Sequence, residues 1–547
     1  MEFDRERLAQ PALNGRGPNG HGAVVRAAGR LPIVTKGDRM SFDPQSGALV
    51  LGVVGTGTMG RGIAQIAAAA GIRVLLHDAR DGAAAEAVAA VADTFRTLAR
   101  KGRMSDEAAD GAAARLCPVA GLDGFAPCHL VVEAIVEDLA AKRALFAALE
   151  AVVSPDCVLA TNTSSLSVTA IAAGVARPGR VAGFHFFNPV ALMKIVEVAP
   201  GVLTDPAVAK ALVGLGVRMG HAAVETRDTP GFLVNHAGRG YGTEALRVVG
   251  EGVADPAAVD RVLVQQAGFR MGPFELLDLI GIDVSQSVME SIYGQFFHEA
   301  RFRPSLLPRQ YIAAGLLGRK TGRGFYRYAD GKPVIDPEPA VPPADRRPLW
   351  ISRRDPVAHA ALTGLLAAGG ATLDDGEQPS AESVCLVTPL GGDATTAALA
   401  DGLDPTRTLA VDTLFGLQGR RVLMTTPVTS AGARDAAWAA LAADGVPVTV
   451  IHDSPGFVSQ RVVACIVNIG CDIAQQRIAT PADIDKAVPL GLGYPQGPLA
   501  MGDRLGPARV LAVLESLLAQ TGDPRYRPSP WLKRRAMLGV SLSTPEA

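Results

Sequence analysis

A histidine, an amide and a carboxylate fall close together in one stretch of this chain. His185 and Asn188 lie in Gly183-Phe184-His185-Phe186-Phe187-Asn188-Pro189, and Glu197 follows eight residues after the proline. Proton transfer needs those three types. An imidazole titrates near neutral pH, a carboxylate fixes which ring nitrogen carries the proton, and an amide donates to a reacting oxygen. A single histidine is otherwise a satisfied core residue, so the rest of the chain must decide between the two. Residues 180–185 and 194–198 read as strands joined by the Asn188-Pro189 turn, which returns Glu197 toward His185.

The elements before this stretch supply a partner for such chemistry. Residues 49–54 form a short apolar, β-branched run, read as a buried strand, and it ends in Gly55-Thr56-Gly57-Thr58-Met59-Gly60. A helical pattern follows through Ile63, Ile66, Ala67 and Ala70, then a strand over 73–77 that ends at Asp78. In this strand–loop–helix–strand–acid order the glycines have distinct work. Gly55 allows the tight turn, Gly57 lets a pyrophosphate approach the backbone, and Gly60 lets the helix pack on the strand. Asp78 would accept from a ribose diol and repel a 2′-phosphate, which selects NAD over NADP. Gly55, Gly57, Thr58, Met59, Gly60 and Asp78 are therefore cofactor-binding candidates.

A long helix is predicted over about 81–101, ending among Arg96, Arg100, Lys101 and Arg103. That basic end is either a solvated face or a site for ligand phosphates. A strand over 129–135 leads to Glu137, on the edge where open parallel sheets hold ligands; capping the next helix is an equally natural role. Lys142 follows one turn later. A strand over 157–161 runs into Asn162-Thr163-Ser164-Ser165, which caps a helix or faces the ligand. A helix over 205–220 and a strand over 221–226 complete the α/β domain.

At Asp228-Thr229-Pro230-Gly231-Phe232 the pattern turns helical, with Asn235 in the first turns, where it could reach the cleft. This region ends at Gly318-Arg319-Lys320-Thr321-Gly322-Arg323-Gly324-Phe325-Tyr326. Arg239 in the first helix is one candidate partner for a terminal carboxylate on a ligand, but spacing does not choose that partner, and a solvated surface arginine is the simpler reading. Asp453-Ser454-Pro455-Gly456-Phe457 then repeats the start of the helical region. Asp260 and Asp485, Gly272-Pro273 and Gly497-Pro498, Asp278 and Asp503 all keep the same spacing of 225 residues, which marks a duplicated helical domain. Between the copies, residues 348–452 read as a worn α/β domain whose glycine loop is replaced by Arg353-Arg354-Asp355. Aligning Pro427 with Pro189 sets Leu423 where His185 would be and Thr426 where Asn188 would be, with Gln460 in place of Asn235.

The expected organisation is α/β plus all-α. It has a disordered extension (1–47), a Rossmann-type NAD-binding domain (48–228), a helical C-terminal domain (229–328) and a linker (329–347). A degenerate Rossmann-like domain (348–452) and a second copy of the helical domain (453–547) follow. Of the 547 residues 48% are hydrophobic and 20% charged, with a net charge of −1. That balance gives no reason to expect nucleic acid or an acidic membrane surface. No metal-ligand cluster is apparent, and the six cysteines are scattered, as in a reduced cytoplasmic protein.

These motifs together resemble the L-3-hydroxyacyl-CoA dehydrogenase family, over about 49–328 and again at 453–520. The layout is similar to bacterial members with a duplicated C-terminal domain, assigned to 3-hydroxybutyryl-CoA or 3-hydroxyadipyl-CoA. The resemblance implies His185 as catalytic base with Glu197 its partner. Ser164, Asn188 and Asn235 are implied to hold the substrate oxygen and the nicotinamide end. Asp78, Glu137, Lys142 and Lys320 are implied contacts to NAD, and Thr94, Lys101 and Ser164 to the acyl-CoA. The implied reaction is NAD-dependent oxidation of a (S)-3-hydroxyacyl-CoA in fatty-acid or phenylacetate-type catabolism. Two alternatives compete: a non-catalytic NAD/CoA-binding protein on this fold, and an NAD-dependent hydroxy-acid dehydrogenase that does not use CoA. The helical domains of short family members pair into a dimer. Here 453–520 is expected to pack on 229–320 within one chain, with homodimerisation through other surfaces left open.

Overall fold

The computed structural model describes residues 42–546. An eight-stranded sheet opens the chain: β1 (Val50–Val54), β2 (Arg73–His77), β3 (Leu116–Pro118), β4 (Leu130–Glu133), β5 (Val158–Thr161), β6 (Val181–Phe186), β7 (Ile195–Pro200) and β8 (Ala222–Glu225). Their order is β3-β2-β1-β4-β5-β6-β7-β8. The central strands are buried along almost their whole length, as befits a parallel sheet covered on both faces. The sheet is parallel except between β6 and β7, where the register sets His185 opposite Glu197. The helix Thr58–Ala69 and the pair Ala83–Arg100 and Asp106–Ala114 pack around it.

The extension expected over 1–47 lies outside the described residues up to 41. Residues 42–47 are packed rather than disordered. Phe42 is buried, and the Arg218 guanidinium donates to the carbonyls of Pro44 and Ser46, both at 2.8 Å.

The helical region holds Val234–Ala237, Arg239–Gly250, Pro256–Gln265, Pro273–Ile280, Ile282–Gln295 and Leu307–Ala313. A hairpin of β9 (Arg327–Ala329) and β10 (Lys332–Val334) follows. It takes up the start of the expected linker. Farther on, Glu338 receives both ends of the buried Arg420 guanidinium at 2.7 and 2.6 Å, so the connection is pinned to the second half.

That half builds a six-stranded sheet: β11 (Leu349–Ile351), β12 (Leu373–Asp374), β13 (Val384–Val387), β14 (Thr408–Val411), β15 (Arg421–Thr425) and β16 (Val448–Ile451), in the order β12-β11-β13-β14-β15-β16. Only β14 and β15 are antiparallel. The second helical copy starts with Val458–Gln475 and Pro481–Leu492.

The fixed spacing of the repeat has a physical cause. Asp260 accepts from the N–H groups of Phe274 and Glu275 at the start of a helix, at 3.0 and 2.9 Å. Asp485 does the same for Leu499 and Ala500, at 2.8 and 2.9 Å. A buried carboxylate that satisfies a helix N-terminus tolerates no insertion between itself and that helix.

The copies pack on each other. Helix Arg239–Gly250 lies against Val458–Gln475, so close that a Cβ on Gly240 would stand 3.0 Å from the Ile466 nitrogen. Arg301 donates to the Arg527 carbonyl, and Arg525 to the Arg303 carbonyl, both at 2.9 Å. These are mates about a local twofold axis.

Candidate active site

The carboxyl ends of β2, β1, β4, β5 and β6 lie side by side. Neighbouring strands stand about 4.8 Å apart, so roughly 19 Å separate the ends of β2 and β6, a span suited to an extended dinucleotide. At the β1 end Gly55 has φ +92°, and a Cβ there would meet the Ala134 carbonyl oxygen at 2.5 Å. A Cβ on Gly60 would stand 1.8 Å from the Gly55 oxygen, whereas one on Gly57 would meet nothing. The loop is thus closed behind and open in front. Helix Thr58–Ala69 starts at Gly57 with no side-chain cap and no acid in its first turn, leaving its N–H groups free for phosphate. Gly60→Ala is expected to cost about 1–3 kcal/mol of stability and to weaken NADH binding more than tenfold, read by melting and by fluorescence titration.

Asp78 accepts from the Thr56 N–H at 2.7 Å, the Thr56 hydroxyl at 2.8 Å and the Arg80 N–H at 3.0 Å. Burial pushes its carboxyl up, but these bonds outweigh it and hold the group below its ordinary range. A fixed anion at this place fits a ribose diol. The loop, the helix end and Asp78 together fit NAD.

Farther along the edge, Glu137 gathers the turn after β5. Its Oε1 accepts from the Thr163 hydroxyl at 2.6 Å, the N–H groups of Ser164 and Ser165 at 3.0 and 3.1 Å, and the Ser165 hydroxyl at 2.9 Å. Burial raises its carboxyl, and these donors with Lys142 bring it below the usual value. Lys142 is buried, 2.6 Å from Glu133 and 3.3 Å from Glu137. Its ammonium is committed to two carboxylates, so it positions Glu137. A direct cofactor contact, as the resemblance implied, would require it to leave them. Ser164 is exposed at the rim of this turn.

His185 and Glu197 are buried, and Nδ1 stands 2.7 Å from Glu197 Oε2. An ionised carboxylate only accepts, so Nδ1 carries the proton and Nε2 presents its lone pair. Among the described residues Nε2 makes no hydrogen bond. The rings of Phe187 and Phe232 flank the imidazole, with centroids at 4.5 and 5.6 Å. Glu197 Oε1 accepts from the N–H groups of Leu233 and Val234 at 3.0 and 2.7 Å. One carboxylate thus orients the imidazole and fastens the start of the helical region, where Asn235 is the next residue. Asn188 is exposed at the turn after β6.

Other candidates stand apart. Lys320 pairs with Asp283 at 2.6 Å within the helical region. Thr94 spends its hydroxyl on the Ala90 carbonyl, 3.0 Å away in its own helix, while Lys101 is exposed just past that helix. Arg239 departs from the solvated arginine expected of it. It is half-buried, burial pushes its charge down to about 10, and its Nε donates to the Asn235 carbonyl at 2.8 Å.

Two residues of motifs marked in the sequence prove to be positioning residues, a role the sequence did not assign to them. Asn162 accepts from the Phe186 N–H at 2.8 Å, tying β5 to the end of β6. Asp228 accepts from the N–H groups of Val168 and Thr169, at 2.8 and 2.7 Å.

The second half corrects the alignment through Pro427. Glu197 faces Val224 on β8 as Val422 faces Thr449 on β16, so Val422 takes the place of Glu197. Across the antiparallel ladder the Asp412 N–H donates to the Val422 carbonyl at 3.1 Å. Asp412, not Leu423, therefore holds the His185 position, and Leu423 lies on β15. Gln460 donates to Asp412 at 2.9 Å, and burial pushes that carboxyl up to about 6. With valine for Glu197 and a buried aspartate for the imidazole, this second edge has lost the base and its orienting carboxylate.

A dinucleotide loop and an oriented, partner-bound imidazole on one sheet edge define an NAD-dependent dehydrogenase of the two-domain type. Residues 50–229 match the NAD binding domain of 3-hydroxyacyl-CoA dehydrogenases. Residues 231–328 and 456–541 both match the C-terminal domain of the same enzymes. The chain is 37% identical over 487 residues to the 3-hydroxyadipyl-CoA dehydrogenase of Escherichia coli K12, covering 89% of this chain and 97% of that protein. It is 40% identical to a probable 3-hydroxybutyryl-CoA dehydrogenase of Bacillus subtilis, over 51% of this chain and 96% of that one. A crystal structure of 3-hydroxybutyryl-CoA dehydrogenase from E. coli K12 superposes with a TM-score of 0.78 at 35% identity, covering 90% of this chain and 98% of the other. This chain belongs to the 3-hydroxyacyl-CoA dehydrogenase family, and its activity is NAD-dependent oxidation of 3-hydroxyacyl-CoA to 3-oxoacyl-CoA and the reverse.

Proposed function

We propose that His185 is the base that takes the 3-hydroxyl proton, with Glu197 its positioning residue. The observation that carries this is the 2.7 Å contact from Nδ1 to a buried carboxylate, which leaves Nε2 unprotonated. NAD, when bound, supplies the acceptor for the C3 hydride. As the C3–H pair leaves, the O–H bond breaks toward Nε2 and the carbonyl forms. Glu197 then stabilises the imidazolium across the same contact. Ser164, Asn188 and Asn235 hold the reacting oxygen and the nicotinamide end, and the Glu137 cluster fixes Ser164 in place. Asp78 and Gly55–Gly60 hold the other end of the cofactor.

Formation of NADH from 3-hydroxybutyryl-CoA, followed by absorbance, tests this reading. No turnover with any thioester would favour a non-catalytic binder. Turnover of free 3-hydroxybutyrate with none of its thioester would favour a hydroxy-acid dehydrogenase.

Lys101 and its basic neighbours meet the coenzyme A phosphates electrostatically, with Thr94 on the same helix beside them. Lys101→Ala is expected to raise KM for the acyl-CoA a few-fold, more at low salt, with kcat little changed; a salt-independent KM equal to that of the parent would remove Lys101 from the site. The enzyme works in the cytoplasm, in acyl-CoA breakdown of the fatty-acid or phenylacetate type. Its described residues include no helix long and apolar enough to cross a membrane, and all six thiols are free. The pairing of its two helical copies stands in for the subunit contact of shorter relatives.

A further inference from the structure

The local twofold between the helical copies is broken in its charges. On one side Arg301 donates to Asp472 at 3.4 Å. On the other side its mate is Arg525, and the position 225 residues before Asp472 holds Arg247. A cation stands where the first side has an acid. Ion pairs on the Arg525 side join four guanidinia, of Arg247, Arg303, Arg461 and Arg525, to three carboxylates, of Glu244, Glu251 and Asp523. One positive charge is left over. Among desolvated groups such an excess is costly unless an anion joins them.

The three carboxylates are already engaged. Glu244 Oε1 accepts from Arg461 at 2.8 Å and from the Tyr526 hydroxyl at 2.7 Å. Glu251 accepts from Arg247 and from Arg461, both at 2.7 Å. Asp523 accepts from Arg247 and, at 2.9 Å, from the Arg525 N–H. The guanidinia of Arg525 and Arg303 take what remains. Arg525 is buried, its Nη1 stands 3.5 Å from Glu244, and neither Nη1 nor Nε makes a hydrogen bond. Arg303 comes no closer than 3.7 Å to Asp523. The two are tied together, since Arg525 Nη2 donates to the Arg303 carbonyl at 2.9 Å. Both line one cavity of about 460 Å³, with Arg247 beside them, Glu251 the one carboxylate in the wall, and Leu246 and Leu307 on its apolar part. That volume suits a small molecule. We propose that this cavity binds a short-chain carboxylate, its charge paired with Arg303 and Arg525 and its alkyl body on Leu246 and Leu307. One left-over charge and a partly apolar wall fit such an acid better than inorganic phosphate. Hydrolysis of an acyl thioester is the class of reaction that supplies it. The cavity shares no residue with the His185 cleft, and it touches both helical copies, so its occupant helps to hold the pair together.

Calorimetric titration of the intact protein at fixed ionic strength tests this, with three probes: hexanoate, neutral hexanol and inorganic phosphate. Hexanoate is expected to bind at one site per chain and to raise the melting temperature. Hexanol and phosphate are each expected to bind at least about tenfold more weakly, the scale of one hydrogen bond to a charged group. Arg303 is half-exposed, so Arg303→Gln is expected to fold and to keep NADH formation from 3-hydroxybutyryl-CoA at the parent rate, while its hexanoate affinity falls at least about tenfold. Hexanoate held in the catalytic cleft would be indifferent to that change. Undiminished hexanoate binding by Arg303→Gln therefore overturns the proposal. So does hexanol or phosphate binding as tightly as hexanoate, or no binding of hexanoate to the parent protein.

Discussion

His185→Gln is expected to lower kcat for 3-hydroxyacyl-CoA oxidation by about 10²–10⁴-fold, the usual range for loss of a general base. Glutamine has nearly the same reach and can still meet Glu197 through its amide, so the buried contact is kept and the protein is expected to fold. Its amide cannot take a proton at neutral pH. NADH binding should remain near that of the parent, because Gly55–Gly60 and Asp78 lie strands away. The check is a stopped kcat at saturating substrate beside a fluorescence titration with NADH. Unchanged turnover would remove His185 from the reaction, and joint loss of turnover and NADH binding would mean a collapsed site.

Glu197→Gln should be nearly as damaging to rate and worse for stability. Its Oε2 faces Nδ1, and an amide nitrogen in that place would donate toward the ring. The imidazole would then carry its proton on Nε2, the wrong nitrogen for a base. Comparable loss of tautomer control costs up to about 10⁴-fold in kcat in other histidine-based sites. The same carboxylate receives the N–H groups of Leu233 and Val234. A neutral oxygen holds them more weakly, and about 1–3 kcal/mol of stability should be lost. A purely structural role would lower the melting temperature and leave the pH–rate profile of the folded fraction unmoved. Here the limb that reports the base is expected to move. The double variant with His185→Gln should cost little more in rate than either alone, since the two act as one unit.

Sequence alone carried the centre of this site because its two strands are short and follow each other closely in the chain. Both β6 and β7 are buried almost throughout, so His185 and Glu197 stand out as the polar residues in them, and the register puts the two opposite each other. The glycine loop was legible because Gly55 and Gly60 each answer to a close backbone contact, while Gly57 leaves the front of the loop open. The helical repeat was legible because Asp260 and Asp485 each tie two fixed points of the chain. What stayed hidden depends on depth and on distant segments. Lys142 reads as a lysine one turn past the ligand edge, but it is closed in by Glu133 and Glu137. Arg239 reads as a surface residue, yet it is half-buried and its Nε is turned back to the Asn235 carbonyl. The worn half was misaligned because prolines mark turns and do not set ladder registers. Pro427 matches Pro189 in type, yet the strands show that Asp412 faces Val422.

The local twofold between the helical copies has one more consequence. In a symmetric pair of separate subunits each substitution appears on both sides, and a favourable contact must suit both mates. Here the two sides are encoded separately and can diverge. Arg461 joins Glu244 and Glu251 at 2.8 and 2.7 Å, while its counterpart His236 sits between Phe296 and Phe302 with both ring nitrogens unpartnered. Duplication inside one chain has let a self-matching surface become two different surfaces, one specialised for the reacting cleft and the other for holding it.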